Sequence, residues 1–390
     1  MSSSITLRGI TWDHSRGYSP MAATAQRFNE LHPPITIVWE KHSLKTFEES
    51  PVSRLAADYD LMVLDHPCIS KAAPGGALLP LDEHLSAGFL ADQAAQSVGA
   101  SHVSYQGAGH QWALAIDAAA PIAFWRADLH ARLSTPVPQN WEQVIALARL
   151  GRVEVPAAPI NCLMNFYTLC LAEGGQPFVA PGDFVSRPAA LAAFARLREL
   201  LALCDSGCWT RNPIASHDLV SSAANEQLVY CPLAYGYSNY ARAGFAEHPL
   251  DSGETPLING QPLRTTLGGA GLGISALRKK NRRETLAYAG FVASGPIQRK
   301  LYAQSGGQPG YRGAWLDAEN NRMTRDYFSR TLPVLNRAFV RPQFPGYMNF
   351  QERGALVLHA ALRGALPADD ALNQLDRLYR DSLLLTSVAA

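Results

Sequence analysis

The chain has 390 residues, 47% hydrophobic and 17% charged, with a formal net charge of +1. That length exceeds one comfortable core, so two domains are expected. The near-neutral balance offers no basic face for a phosphate backbone, and no run of 18 apolar residues supplies a membrane span. The six cysteines (Cys68, Cys162, Cys170, Cys204, Cys208 and Cys231) form no C-x-x-C pair and accompany no paired histidine spacing. They read as reduced core residues rather than zinc ligands.

In chain order, "ITLRGITW" alternates apolar residues as a strand does. "SPMAATAQRFNELHP" reads as a helix with Ser19 as N-cap and Pro20 in the first helical position. Met21, Ala25, Phe28 and Leu31 form its apolar face, and Pro33 and Pro34 end it. "ITIVWE" and "DLMVLD" are the next strands, so the order predicts a parallel sheet with flanking helices. Ligand crevices of such sheets lie at the strands' C-terminal ends, here Trp12-Asp13-His14 and Asp65-His66. Two apolar strands are expected around Asp117, and Asn140 with Gln143 makes a capping-box pattern. Helices are expected over 188–204, 282–294 and 371–385. A strand runs into the tyrosine-rich "PLAYGYSNYAR", and 265–275 is a glycine-rich extended stretch.

The catalytic signatures G-x-x-x-x-G-K-[ST], H-E-x-x-H and G-x-S-x-G are absent, and "GGAGLG" lacks the spacing of a dinucleotide loop. The loop after the first strand stands out. Trp12, Asp13, Arg16 and Tyr18 would present an aromatic wall, an acceptor and a bidentate donor to a small ligand; packing of Trp12 and Tyr18, with Asp13 paired to Arg16, accounts for them too. Tyr235, Tyr237, Ser238 and Asn239 offer flat faces and hydroxyl and amide groups to a ring with a polar rim. Gln308 and Arg312 sit on a loop pinned by Pro309, and Asn165 lies beside Phe166.

The order and spacing of these segments resemble the extracellular solute-binding proteins of ABC importers, the group that includes maltose-binding protein. The resemblance rests on "ITWDHSRGYSPMAATAQRFNELHP", "DLMVLD", "WALAIDAAAPIAFWRADL", "TPVPQNWEQVIALA", "LAEGGQP", "TTLGGAGLGIS" and "RRETLAYAGFVASGPIQRKLYAQSGGQPGYR", and covers nearly the whole chain. It implies an α/β, two-lobe periplasmic-binding-protein fold of the type II kind, each lobe a mostly parallel sheet flanked by helices, with the ligand in a cleft between lobes that close about hinges. The expected lobes are 1–116 with 266–314, and 117–265 with 315–390. Carried over residue by residue, ligand-contacting candidates are Trp12, Asp13, Arg16, Tyr18, Asp65, Gln308 and Arg312 on the first lobe. On the second they are Asp117, Asn165, Tyr235, Tyr237, Ser238 and Asn239.

The implied function is capture of a small polar solute for a permease of the inner membrane, by a monomer with no cofactor, no metal and no nucleic-acid partner. Aromatic faces with charge-assisted partners favour a carbohydrate. A small carboxylate held by Arg16 or Arg312 is the close alternative. A glycosidase using Asp13, Asp65 or Asp117 as acid and base, and a cytosolic sensor with the same fold, complete the set of readings. The resemblance implies a periplasmic location. Residues 1–4 show no basic stretch and no apolar core of a leader, so a cytosolic protein and one whose leader was removed both fit.

Overall fold

The computed structural model describes residues 4–43, 51–72, 75–179 and 182–387. The chain forms two compact α/β units. The first is Met1–Ala119 with Gly268–Arg322, the second Ala120–Leu267 with Met323–Ala390.

The first unit is built on a five-stranded sheet in the order Ile35–His42, Ile5–Trp12, Leu61–Leu64, Gly268–Ile274, Ala113–Ala119. The first three strands are parallel, and Gly268–Ile274 runs antiparallel to both of its neighbours. The period of two separates two cores. Leu61 and Val63 join Leu7, Phe28, Leu114, Leu272 and Tyr288 on one face, while Met62 and Leu64 join Ile10, Tyr105 and Trp112 on the other. The helix Ser15–Leu31 covers the first face with Met21, Ala25 and Phe28.

That helix starts five residues earlier than the Ser19–Pro20 pair suggests. His14 is its N-cap in an extended conformation, its Nδ1 accepting from the Arg16 N–H at 3.0 Å. The helix then runs through Pro20, whose ring removes one helical hydrogen bond. What fixes the early start is tertiary. Gly17 lies against the indole of Trp12, which a Cβ there would meet at 2.4 Å. The Thr11 hydroxyl also donates to the Gly17 carbonyl at 3.2 Å. Arg16 and Tyr18 therefore sit on the first helical turns rather than in a loop.

In the second unit the hydrogen-bonded sheet differs from the mostly parallel one expected. Pro121–Trp125 pairs antiparallel with Tyr230–Tyr235 and with Asp251–Gly253. Among the described residues, the strand Tyr230–Tyr235 gains a parallel neighbour as an isolated bridge from Val153 to Tyr230, and Pro156, which cannot donate to a ladder, soon follows. The larger core packs the helices Pro159–Ala172, Arg187–Ala202, Tyr347–Leu362 and Ala368–Ser387 around Phe166, Tyr167, Phe184, Phe350 and Leu375. Asn140 caps Trp141–Ala148 by accepting from the Gln143 N–H, as the capping pattern predicts; the Gln143 side chain reaches the N–H of Gln139 instead of that of Asn140.

Cys162, Cys170, Cys208 and Cys231 are buried and the other two half-buried, and all six are free thiols. Burial pushes the Cys208 thiol up to about 12. No helix among the described residues is long and apolar enough to cross a membrane.

Candidate functional site

On the first unit, Trp12, His42 and Asp65 stand at or just past the C-terminal ends of the three parallel strands, and Trp12 is the register partner of His42. Trp12 is only 4% exposed, and its ring lies beneath the Arg16 guanidinium at 5.9 Å. Asp13 and Arg16 do not pair with each other. The exposed Asp13 accepts from Lys41 at 2.8 Å, and the same ammonium lies 5.3 Å from the centre of the Tyr18 ring. Lys41 escaped notice in the sequence because only the strand register places it beside Asp13.

Arg16 instead meets Asp117, 101 residues away, through its Nε at 2.9 Å and its Nη2. Both side chains are at least 95% buried. Asp117, expected on the second lobe, therefore belongs to the first unit, inside Ala113–Ala119. The strand makes this pairing by a register shift. Ala270 opposes Asp117 and Gly271 opposes Ala115, leaving Ile116 as the extra residue of a bulge. A bulge re-aims the side chains after it, here bringing Asp117 to the Arg16 guanidinium. Burial pushes the Asp117 carboxyl above its ordinary value, and the Arg16 charge pulls it back.

Gln308 is fully buried, and its amide donates to the Ala118 carbonyl at 2.8 Å. Its own carbonyl accepts from Ala118 N–H, and Gly310 donates to Ile116, so this loop lies along Ala113–Ala119 like an added strand. Gly310 is required there, since a Cβ would meet the Ala115 carbonyl at 2.1 Å. Arg312 is half-buried, and its N–H donates to Gln96. Asp65 is half-buried and caps the short turn His66–Cys68 by accepting from the His66 N–H at 2.9 Å.

On the second unit, Tyr235 ends its strand half-buried, and Tyr237, Ser238 and Asn239 are buried in the turn that follows. The organiser is a residue that sequence reading passed over. His217 stacks on Phe124 at 3.9 Å and touches the rings of Tyr237 at 5.6 Å and Tyr240 at 4.8 Å. The Tyr240 hydroxyl donates to Asp218 at 2.5 Å. Gly236 lets the chain pass Tyr327, whose hydroxyl a Cβ would meet at 2.2 Å. Asn165 is buried at 3% exposure within Pro159–Ala172. Single histidines carry no spacing signal, and a tyrosine-rich segment has one composition whether exposed or packed.

Over nearly its whole length the chain superposes on sugar- and polyol-bound proteins. Maltose-bound MalE3 of T. maritima matches with a TM-score of 0.82 at 16% identity, covering 97% of this chain and 99% of that one. An ABC transporter solute-binding protein of Agrobacterium radiobacter K84 solved with ribitol gives 0.82 at 15%, covering 97% and 99%. One from Agrobacterium vitis S4 with D-mannitol gives 0.77 at 14%, covering 97% and 98%. The chain has the solute-binding-protein fold. No protein-family profile matches it. Each of the two units carries one of the two groups just described. Among the described residues, no group of three or more His, Cys, Asp or Glu side chains could hold a metal ion.

Proposed function

We propose that the chain is the substrate-binding component of an ABC importer, capturing a small, polar, carbohydrate-like solute by hinge closure of its two lobes. The observation that carries this reading is the near-full-length likeness to proteins solved with maltose, ribitol and mannitol. The strand-end chemistry suits it. Asp13, Tyr18, Asp65 and Tyr235 keep partial exposure and offer acceptors and hydroxyls to a polyhydroxylated molecule. The units ending at Ala119, Leu267 and Arg322 are taken as the lobes. A solute that contacts both lobes favours the closed state by that difference in contact alone. The partner is a permease of the inner membrane, the working form a monomer, and the location outside that membrane.

A carboxylate ligand would want a guanidinium with charge to spare. Of the two candidates, Arg16 has its charge met by Asp117, which leaves the carboxylate reading to Arg312 alone and favours a neutral hydroxylated solute. Hydrolysis of a glycoside needs two carboxylates flanking one bond. Asp117 is buried and committed to Arg16, which removes it as an acid or base and supports binding rather than turnover.

The test is a thermal-shift screen of maltose, tagatose, ribitol, mannitol and succinate. At a hundred times Kd a ligand adds about 2.7 kcal/mol, a rise of several degrees. At least one sugar or polyol is expected to give it. A screen in which only succinate moves the melting point returns the carboxylate reading, and silence from all five sinks carbohydrate capture.

A further inference from the structure

The near-neutral total charge conceals one local excess. Residues 278–283 read Arg-Lys-Lys-Asn-Arg-Arg, five cations in six positions. They follow the Gly268–Ile274 strand, whose Ile274 pairs with Leu61, at the end of the sheet where the parallel strands begin. The first strand starts here at Ile5 and reaches Trp12 at the opposite end, about 23 Å away at 3.3 Å per residue.

A cavity of about 590 Å³ opens at this end, lined by Ser4, Thr6, Asp60, Arg278, Lys279 and Lys280 among others. That volume is in the range of small-molecule sites. Asp60 is the only acid on the wall, and it is already matched. It accepts from the Arg278 Nε and from the Arg8 N–H, each at 2.8 Å. Lys279 and Lys280 are exposed and have no hydrogen bond or ion pair to any described residue. The wall thus keeps two uncompensated positive charges. Ser4 and Thr6 add exposed hydroxyls. None of the lining side chains is aromatic, so the cavity lacks the flat faces that suit a sugar ring.

We propose that this cavity is a second site of the first lobe, one that takes a phosphate group. A phosphate ester carries about −1.5 to −2 charges at neutral pH with three acceptor oxygens, which matches two lysines and two hydroxyls better than a monoanionic carboxylate does. The group could be a soluble phosphate or the headgroup of a phosphomonoester lipid, and the two sources are separable.

The experiment titrates the full chain with pyrophosphate and with inorganic phosphate by calorimetry at low salt. It repeats both with K279Q/K280Q and tests each protein for sedimentation with phosphatidylcholine vesicles with and without phosphatidic acid, whose headgroup is a phosphate monoester. Wild type is expected to bind pyrophosphate, the variant about ten-fold more weakly, and salt to weaken binding by screening the lysines. Pyrophosphate binding without vesicle binding assigns a soluble phosphate. Lysine-dependent sedimentation that requires phosphatidic acid assigns the lipid. Should the double variant melt early, K280Q, with an expected loss of about three-fold, makes the same comparison. No binding to any probe, or binding that both variants leave unchanged, overturns the proposal. The sugar or polyol shift is measured on the same samples and is expected to persist in both variants, so failure here leaves the solute-capture reading standing.

Discussion

Where Ile5–Trp12 ends, the first lobe buries an ion pair over an indole; where Tyr230–Tyr235 ends, the second lobe buries rings around an imidazole. Both arrangements hold a turn at a strand end, but they fail differently. A buried guanidinium and carboxylate are interdependent, because either one alone is an uncompensated charge in a poor solvent. Ring contacts are many and individually small, so losing one polar atom among them leaves most of the packing in place. The first lobe's turn should therefore be brittle and the second's tolerant.

The hardest blow to that comparison is Asp117→Ala. It strands Arg16 at 4% exposure and is expected to cost about 3–5 kcal/mol, read as a drop in the denaturant midpoint. Replacing both partners by apolar residues, Arg16→Met with Asp117→Leu, should recover most of the loss. A double variant as unstable as the single one would show that the pair does more than cancel its own charges.

The two glycines sharpen the contrast. Gly17→Ala drives a Cβ to 2.4 Å from the rigid, buried Trp12 ring and should cost about 3 kcal/mol. Gly236→Ala meets the Tyr327 hydroxyl at 2.2 Å and the Ile122 Cδ1 at 2.7 Å, tip atoms of buried side chains rather than a ring face, so about 1–2 kcal/mol is expected. Thermal melts rank them directly, and the reverse order would contradict the brittle-versus-tolerant account.

His14 gives the first lobe a pH dependence. Burial, helped by the Arg16 charge, pushes its pKa from 6.5 down to about 4, so it caps the helix as a neutral acceptor. The unfolded chain takes up the proton first as pH falls. The stabilisation is therefore complete above pH 6.5 and is lost as pH falls through about 4, an effect on the order of 2–3 kcal/mol. Burial also lowers the pKa of His42, His102, His130 and His359, so the wild-type profile is a composite. Asn is an equally good cap and does not titrate. The difference between wild type and His14→Asn isolates the contribution, and parallel profiles from pH 7 to 4 would remove His14 from the account.

How much of this was legible depends on distance along the chain. Local patterns carried the apolar run Leu61–Leu64 between its two acids, the Asn140 cap and the helix at Arg282–Ala293. Ser19 and Pro20 carry a helix-start signal as well, yet packing of Gly17 on Trp12 and the His14 cap override it. Nothing local encodes the Arg16–Asp117 pair, because it depends on a bulge at Ile116 that shows only against the partner strand. Gln308 looked like a ligand donor because a buried glutamine bound to a neighbouring strand's carbonyl has the same sequence as one facing a solute.

The smallest expected effect tests the tolerant side. Tyr240→Phe removes the hydroxyl that donates to Asp218 at 2.5 Å and keeps the ring against His217. Asp218 is exposed, so water replaces the lost donor and no buried acceptor is left bare. The cost should be about 0.5–1 kcal/mol, with the solute-induced thermal shift intact. Burial and the neighbouring Asp218 carboxylate both push the Tyr240 phenol above its ordinary value, so it stays a neutral donor across the working pH range. A loss from Tyr240→Phe near that of Asp117→Ala would mean that this bond, rather than the rings, holds the second lobe's turn.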